Sequence, residues 1–165
     1  MANHRNVRPI RVTVAHGSYL VREFVTSLLD RSLQVEQTAV CANGHDLETA
    51  IAISHPDVVL TGVRMPPSGA EEGIRIAACL RERSPETGVV ALGDHVQLSS
   101  VLAFLAGGTH RRAYLLTERI RSHHDLIGAI ETVASGGSAL DPLIVDALKQ
   151  IRVRAASSRA TVTTS

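Results

Sequence analysis

The chain has 165 residues, the size of one domain with a sizeable core, and its 44% apolar and 20% charged content is ordinary for a soluble globular protein. A formal charge of +1 provides no global field to draw in nucleic acid or membrane, and four aromatic side chains (Tyr19, Phe24, Phe104, Tyr114) leave little for stacking single-stranded bases. No apolar run reaches membrane-spanning length, the opening MANHRNVRP lacks an apolar signal region, and Cys41 and Cys79 stand isolated in apolar segments; a cytoplasmic protein without a disulfide framework, zinc site or membrane partner is expected.

Residues 10–15 are a short β-branched run, followed by a His16-Gly17-Ser18 turn in which Ser18 is a helix N-cap. Val21, Phe24, Val25, Leu28 and Leu29 then recur at helical spacing. Residues 35–42 read as a second strand closed by Asn43-Gly44, and Asp46 is placed as the cap of a helix carrying Leu47, Ala50 and Ile51 that His55-Pro56 ends. Residues 58–61 are apolar without alternation, which suits a strand covered on both faces. A turn from Gly62 to Gly69 leads to a helix with Ile74, Ala77 and Leu80 on one side. Residues 89–92 form another continuous apolar strand. A stripe of Leu98, Val101, Leu102 and Leu105 stops at Gly107-Gly108. Residues 113–116 are a fifth strand. The helix of Leu126, Ile127, Ile130 and Val133 stops at Gly136-Gly137. Asp141-Pro142 pairs an N-cap with Pro at the first helical position and opens a last helix through Ile144, Val145 and Leu148. Strict alternation of strand and helix argues a parallel sheet with helices on both faces. Residues 1–8 read as a tail, 9–150 as the domain, and 151–165 as a disordered tail or linker without periodicity.

Several strings in this order carry a resemblance: SYLVRE at 18–23, HPDVVLTGVRMPP at 55–67, EEGIRIA at 71–77, LAGG at 105–108, AYLLTERI at 113–120 and GGSALDP at 136–142. Over residues 9–150 the chain resembles the receiver domain of two-component response regulators, and more narrowly the subclass that normally carries a C-terminal LuxR-type helix-turn-helix. The resemblance implies a flavodoxin-like, three-layer α/β fold with a five-stranded parallel sheet of order 2-1-3-4-5 and a site at the carboxyl ends of the strands.

The family's chemistry implies five kinds of group at that site. Two acidic residues after the first strand and an Asp ending the third hold Mg²⁺, a hard cation that takes carboxylate oxygens. The same Asp is the nucleophile that accepts the phosphoryl group. A Ser or Thr after the fourth strand bonds the phosphoryl oxygen, and a Lys after the fifth neutralises its charge. Here the acidic pair matches His16 and Gly17, the phosphoacceptor matches Gly62, the hydroxyl position matches Gly93 and the lysine matches Thr117. No carboxylate remains among these positions. Catalytic residues and Mg²⁺ binding are therefore not expected, and the domain is expected to be an atypical, phosphorylation-independent receiver. Asp57 lies at the start of the third strand, at the opposite end of the sheet, and Asp94 in the loop after the fourth.

Sharper and plainer readings stand beside each other at several positions. His16, Asp94 and His95 have the donor types of a transition-metal site, or else belong to a space-filling ring and a solvated loop. Gly17, Gly62 and Gly93 leave either a cavity for a small ligand or a collapsed pocket. Tyr114 matches the family's switch aromatic, whose rotamer couples phosphate to the face of the fourth helix, fifth strand and fifth helix; a half-buried packing role is the plain alternative. Arg111 and Arg112 are a partner surface or a solvated pair. His123-His124 is only superficially a metal tract, because adjacent helical residues do not face one ligand. Arg152, Arg154 and Arg159 would touch phosphates weakly and with strong salt dependence.

The function expected is signalling or regulation through protein partners, a homodimer among them, docking through the fourth-helix, fifth-strand, fifth-helix face or through the first helix. DNA would be reached only through an output domain, for which the residues after Gln150 are too few. The alternatives are the receiver part of a longer DNA-binding transcriptional regulator and a small-ligand sensor. No nucleophile–base pair, P-loop or zinc signature points to an enzyme.

Overall fold

The computed structural model describes residues 8–162. Its elements alternate as expected: β1 (Ile10–Ala15), α1 (Tyr19–Leu29), β2 (Val35–Cys41), α2 (Gly44–Ser54), β3 (Val58–Gly62), α3 (Glu72–Arg83), β4 (Gly88–Gly93), α4 (Leu98–Leu105), β5 (Arg112–Leu116), α5 (His123–Ala134), β6 (Ala139–Leu140) and α6 (Pro142–Val162). All strands pair in parallel, in the order β2-β1-β3-β4-β5-β6. The flavodoxin-like α/β fold is as the sequence implies. The sheet has six strands rather than five, because Ala139 and Leu140 pair with Ala113 and Tyr114 at the β5 edge. A two-residue strand has too short a pattern to be read from alternation.

The unbroken apolar runs of β3 and β4 are explained by burial on both faces, every residue of both strands being buried. Because side chains alternate across a strand, Val58 and Leu60 join the layer under α1 and α5, while Val59 joins the layer under α2, α3 and α4. Val25, Leu28, Leu126 and Ile130 fill the first layer; Leu47, Ile76, Val101 and Phe104 fill the second. No helix among the described residues is long and apolar enough to cross a membrane.

Three local expectations are corrected. The cap of α2 is Asn43, whose side chain accepts the Asp46 backbone N–H at 2.8 Å, so Asp46 sits inside the first turn. The segment 151–165, expected to be a disordered tail or linker, continues α6 as far as Val162, and residues 163–165 lie outside the described residues. Helical hydrogen bonding carried forward from a packed first half accounts for this where side-chain periodicity is weak. Finally, α6 packs on α4 and β6 lies along β5. The side of α4 and β5 expected to face a partner is thus partly covered by the chain's own C-terminal segment.

Candidate functional site

The carboxyl ends of β1, β3, β4 and β5 bring His16, Gly62, Gly93 and Thr117 to one end of the sheet, as the sequence places them. Neighbours pack closely against the glycines there. A Cβ added at Gly62 would lie 3.0 Å from His16 Cδ2 and 3.4 Å from Nε2, so the imidazole crowds the space where a side chain at position 62 would start. A Cβ at Gly17 would lie 2.7 Å from Pro66 Cδ, so the Pro-Pro turn closes the space beside position 17. A Cβ at Gly93 would lie 2.9 Å from Tyr114 Cε1 and 3.1 Å from its hydroxyl. Thr117 is too short to reach into the pocket as a lysine would; its hydroxyl donates instead to the Gly93 carbonyl at 3.3 Å.

His16 is held in one state. It is buried, and its Nδ1 accepts the Ser18 backbone N–H at 3.0 Å, which leaves the proton of the neutral ring on Nε2. Burial pushes its pKa below the ordinary imidazole value; the Asp94 carboxylate opposes the shift and the Arg22 guanidinium adds to it. Arg22 reaches back from α1 to donate to the carbonyl of His16 at 2.8 Å and that of Gly17 at 3.3 Å. The Ser18 cap, accepting Val21 N–H at 3.3 Å, starts the helix that delivers it.

Tyr114 is fully buried with its ring edge-on to Phe104 of α4, centroids 5.6 Å apart. Burial, reinforced by Glu71, raises its phenol to about 12, so it is a neutral packing group at physiological pH. The plain reading of Tyr114 as half-buried understates its burial. Beside it, Glu71 accepts a hydrogen bond from the buried Ser100 hydroxyl at 2.8 Å and pairs with Arg64 at 3.3 Å. Arg22, Arg64, Glu71 and Ser100 were not singled out by sequence reasoning. The Met-Pro-Pro turn marks where Pro66 lies, but no local pattern announces its contact with Gly17.

What remains open is a cavity of about 90 Å³ lined by His16, Arg64, Gly93, Asp94, His95 and Tyr114 among others. Asp94 and His95 are exposed at its mouth. The matched positions supply an imidazole and two glycines where a hard divalent cation requires carboxylate oxygens, so the residues present do not fit Mg²⁺. Among the described residues no three His, Cys, Asp or Glu side chains come close enough to share a metal ion, and His16, Asp94 and His95 do not converge as one. His123 and His124 stack on each other with centroids 3.9 Å apart at the start of α5.

Neither reading of Arg111 and Arg112 holds. Arg111 donates to the Val133 and Ala134 carbonyls at 3.2 and 2.8 Å and so caps the end of α5. Arg112 is buried, donates to the Ala77 carbonyl at 2.6 Å and lies over the Phe104 ring at 5.2 Å. Asp57 meets Arg8 at 2.8 Å at the far end of the sheet, away from the pocket.

The geometry agrees with comparison to known proteins. The response regulator receiver domain family matches residues 12–112. The transcriptional regulatory protein LnrK of Bacillus subtilis (strain 168) is 28% identical over 133 residues, covering 81% of this chain and 57% of that protein. The chain thus spans little more than half the length of that relative. The receiver domain of the putative response regulator NarL from Mycobacterium tuberculosis superposes with a TM-score of 0.68 at 27% identity, over 78% of this chain and 98% of that one. A LuxR-family two-component response regulator from Aurantimonas sp. SI85-9A1 shares the fold, with a TM-score of 0.74 at 22% identity over 88% of this chain and 99% of that one. With the family match spanning more than half of its length and the fold in agreement, the protein belongs to the response regulator receiver domain family.

Proposed function

We propose that the protein is an atypical receiver that works without phosphorylation, as a regulatory protein-interaction module and not as an enzyme. The observation that carries the reading is the His16 ring packed where a side chain at position 62 would begin. Losing a nucleophile leaves a receptive pocket; filling the space with a buried, neutral ring removes the room that a phosphoryl group and its cation need. Tyr114 is turned into the space beside Gly93, where a side chain at position 93 would meet its ring. With α4 and β5 partly covered by α6 and β6, the docking face retained in this reading is the start of α1, where Tyr19 and Leu20 are 63% and 77% exposed.

Incubation with acetyl phosphate and Mg²⁺, followed by phosphate-affinity electrophoresis, tests the proposal. No shifted band is expected, either from the wild-type chain or from a Gly62→Asp variant, in which the new side chain meets His16. An acid-labile phosphoprotein from the wild-type chain would sink the proposal. A second reading, that this is the receiver part of a longer DNA-binding transcriptional regulator, is favoured by the match to 57% of a transcriptional regulatory protein; a reading frame continuing into a recognition helix would establish it. The ligand-sensor alternative draws little support from a cavity of about 90 Å³, since pockets for drug-sized ligands run from about 300 to 1,000 Å³.

A further inference from the structure

The C-terminal segment is attached to the domain at Tyr114 and Arg119. The backbone N–H of Asp141 donates to the carbonyl of Tyr114 at 3.0 Å. The Asp141 carboxylate, only 8% exposed, receives the Arg119 guanidinium Nε–H at 2.8–2.9 Å on its two oxygens and caps α6 through the Leu143 N–H at 2.9 Å. Arg119 closes the single 3-10 turn that begins at Thr117, whose hydroxyl is tied to the Gly93 carbonyl. Ile144 of α6 is fully buried in the same cluster as the Tyr114 ring, Phe104 and Val101, with Leu148 packed against it. By contrast, residues 152–159 of α6 are exposed.

We infer that β6 and the first half of α6 form a latch whose seat is set by the Tyr114 ring, so that the filling of the pocket and the docking of the C-terminal helix are two ends of one coupled element. The physical basis is shared contact. The ring can stay where it is only while position 93 has no Cβ, since the nearest ring atom would lie 2.9 Å away. Moving the ring disturbs the buried cluster to which Ile144 also belongs. Moving α6 in turn removes Ile144 from that cluster and the Asp141 N–H from the Tyr114 carbonyl. Coupling of this kind is reciprocal: whatever loosens one end must loosen the other. The latch is small, a two-residue strand, one ion pair and one fully buried side chain, which places it among the segments that open locally before the domain unfolds.

Hydrogen–deuterium exchange of residues 139–151, with aromatic NMR of Tyr114, tests the coupling in both directions. In Gly93→Ser, which does not touch α6, exchange over 139–151 is expected to rise about tenfold or more, while β1 and α1 keep their protection. In Arg119→Ala a rise of similar size is expected, because a charged hydrogen bond is lost. In that variant the Tyr114 ring resonances should also move toward those of the exposed Tyr19. Gly128→Ser, whose Cβ would enter open space, serves as the control and should change neither readout. Unchanged exchange over 139–151 in a folded Gly93→Ser, or unmoved Tyr114 resonances in Arg119→Ala, would overturn the inference. Should Gly93→Ser fail to fold, the Tyr114 resonances of Arg119→Ala decide the matter in either direction.

Discussion

His16 is one residue through which pH acts on the stability of this domain. Its Nδ1 already accepts a backbone N–H and its ring is buried, so the neutral form is the one the fold stabilises. The folded pKa lies below the unfolded value of 6.5, so the unfolded chain binds the proton more readily. The stabilisation is full above 6.5, begins to be lost as pH falls below it, and is gone once pH has fallen through the lower folded pKa. Thermal melts from about pH 7.5 down to about pH 5.5 should show the midpoint falling more steeply for the wild-type chain than for His16→Gln. Arg112 is a second residue out of keeping with its surroundings. Its guanidinium is 3% exposed, burial lowers its pKa to about 10, and its Nη1 has no hydrogen-bond partner among the described residues. A buried charge without a carboxylate partner costs more than its one carbonyl bond and ring contact return. Arg112→Met is expected to raise stability by about 1 kcal/mol, read as a higher denaturant midpoint at unchanged slope.

Among the elements, the helix starts are the most local and the most legible. The Asn43 side chain accepts the Asp46 N–H, and its amide donates back to the Asp46 carboxylate at 3.1 Å, a two-way cap that begins α2. Asn43→Ala should cost about 1 kcal/mol in chemical denaturation, whereas removing the Asp46 carboxylate alone should cost less. Sequence reasoning assigned the cap to Asp46 because both residues have the right chemistry; backbone conformation decides between them, and Asn43 is the extended one. The strand ends show a similar limit. Gly62, Gly88 and Gly93 extend β3 and β4 beyond the apolar runs that announce them. Glycine weakens a strand in isolation, but these three lie against His16, Val133 and Tyr114, where an added Cβ would press on its neighbour at 2.8–3.0 Å. The edge strand β2 carries an irregularity in its pairing with β1, and the Thr13 and Thr38 hydroxyls share a hydrogen bond of 2.7 Å there. Such a bulge twists an edge away from further pairing.

Across the whole molecule, α6 divides into a packed half and a projecting half. Ending the chain after Ile151 removes residues of which 152–159 are exposed, and should leave the unfolding free energy within about 0.5 kcal/mol of the full chain's. Ending it after Leu140 removes the buried Ile144 and the Asp141–Arg119 pair and should lower it clearly; Ile144→Ala alone should cost about 2–5 kcal/mol. A midpoint equally depressed by both truncations would show that the projecting half also contributes to the fold.

The architecture was legible because it rests on local rules: continuous apolar strands, helical stripes and glycine or proline punctuation each leave a pattern within a dozen residues. That position 62 carries a glycine was legible too, being read directly from the chain. What packs against that glycine was not. His16 over Gly62, Pro66 over Gly17 and Tyr114 over Gly93 are contacts between residues far apart in the chain, and shape complementarity at that range has no sequence period. The same holds for α6. Its first turn is announced by Asp141-Pro142, but its seat on α4, and its tie to Tyr114 through Asp141 and Arg119, exist only once the sheet has brought β5 and β6 side by side.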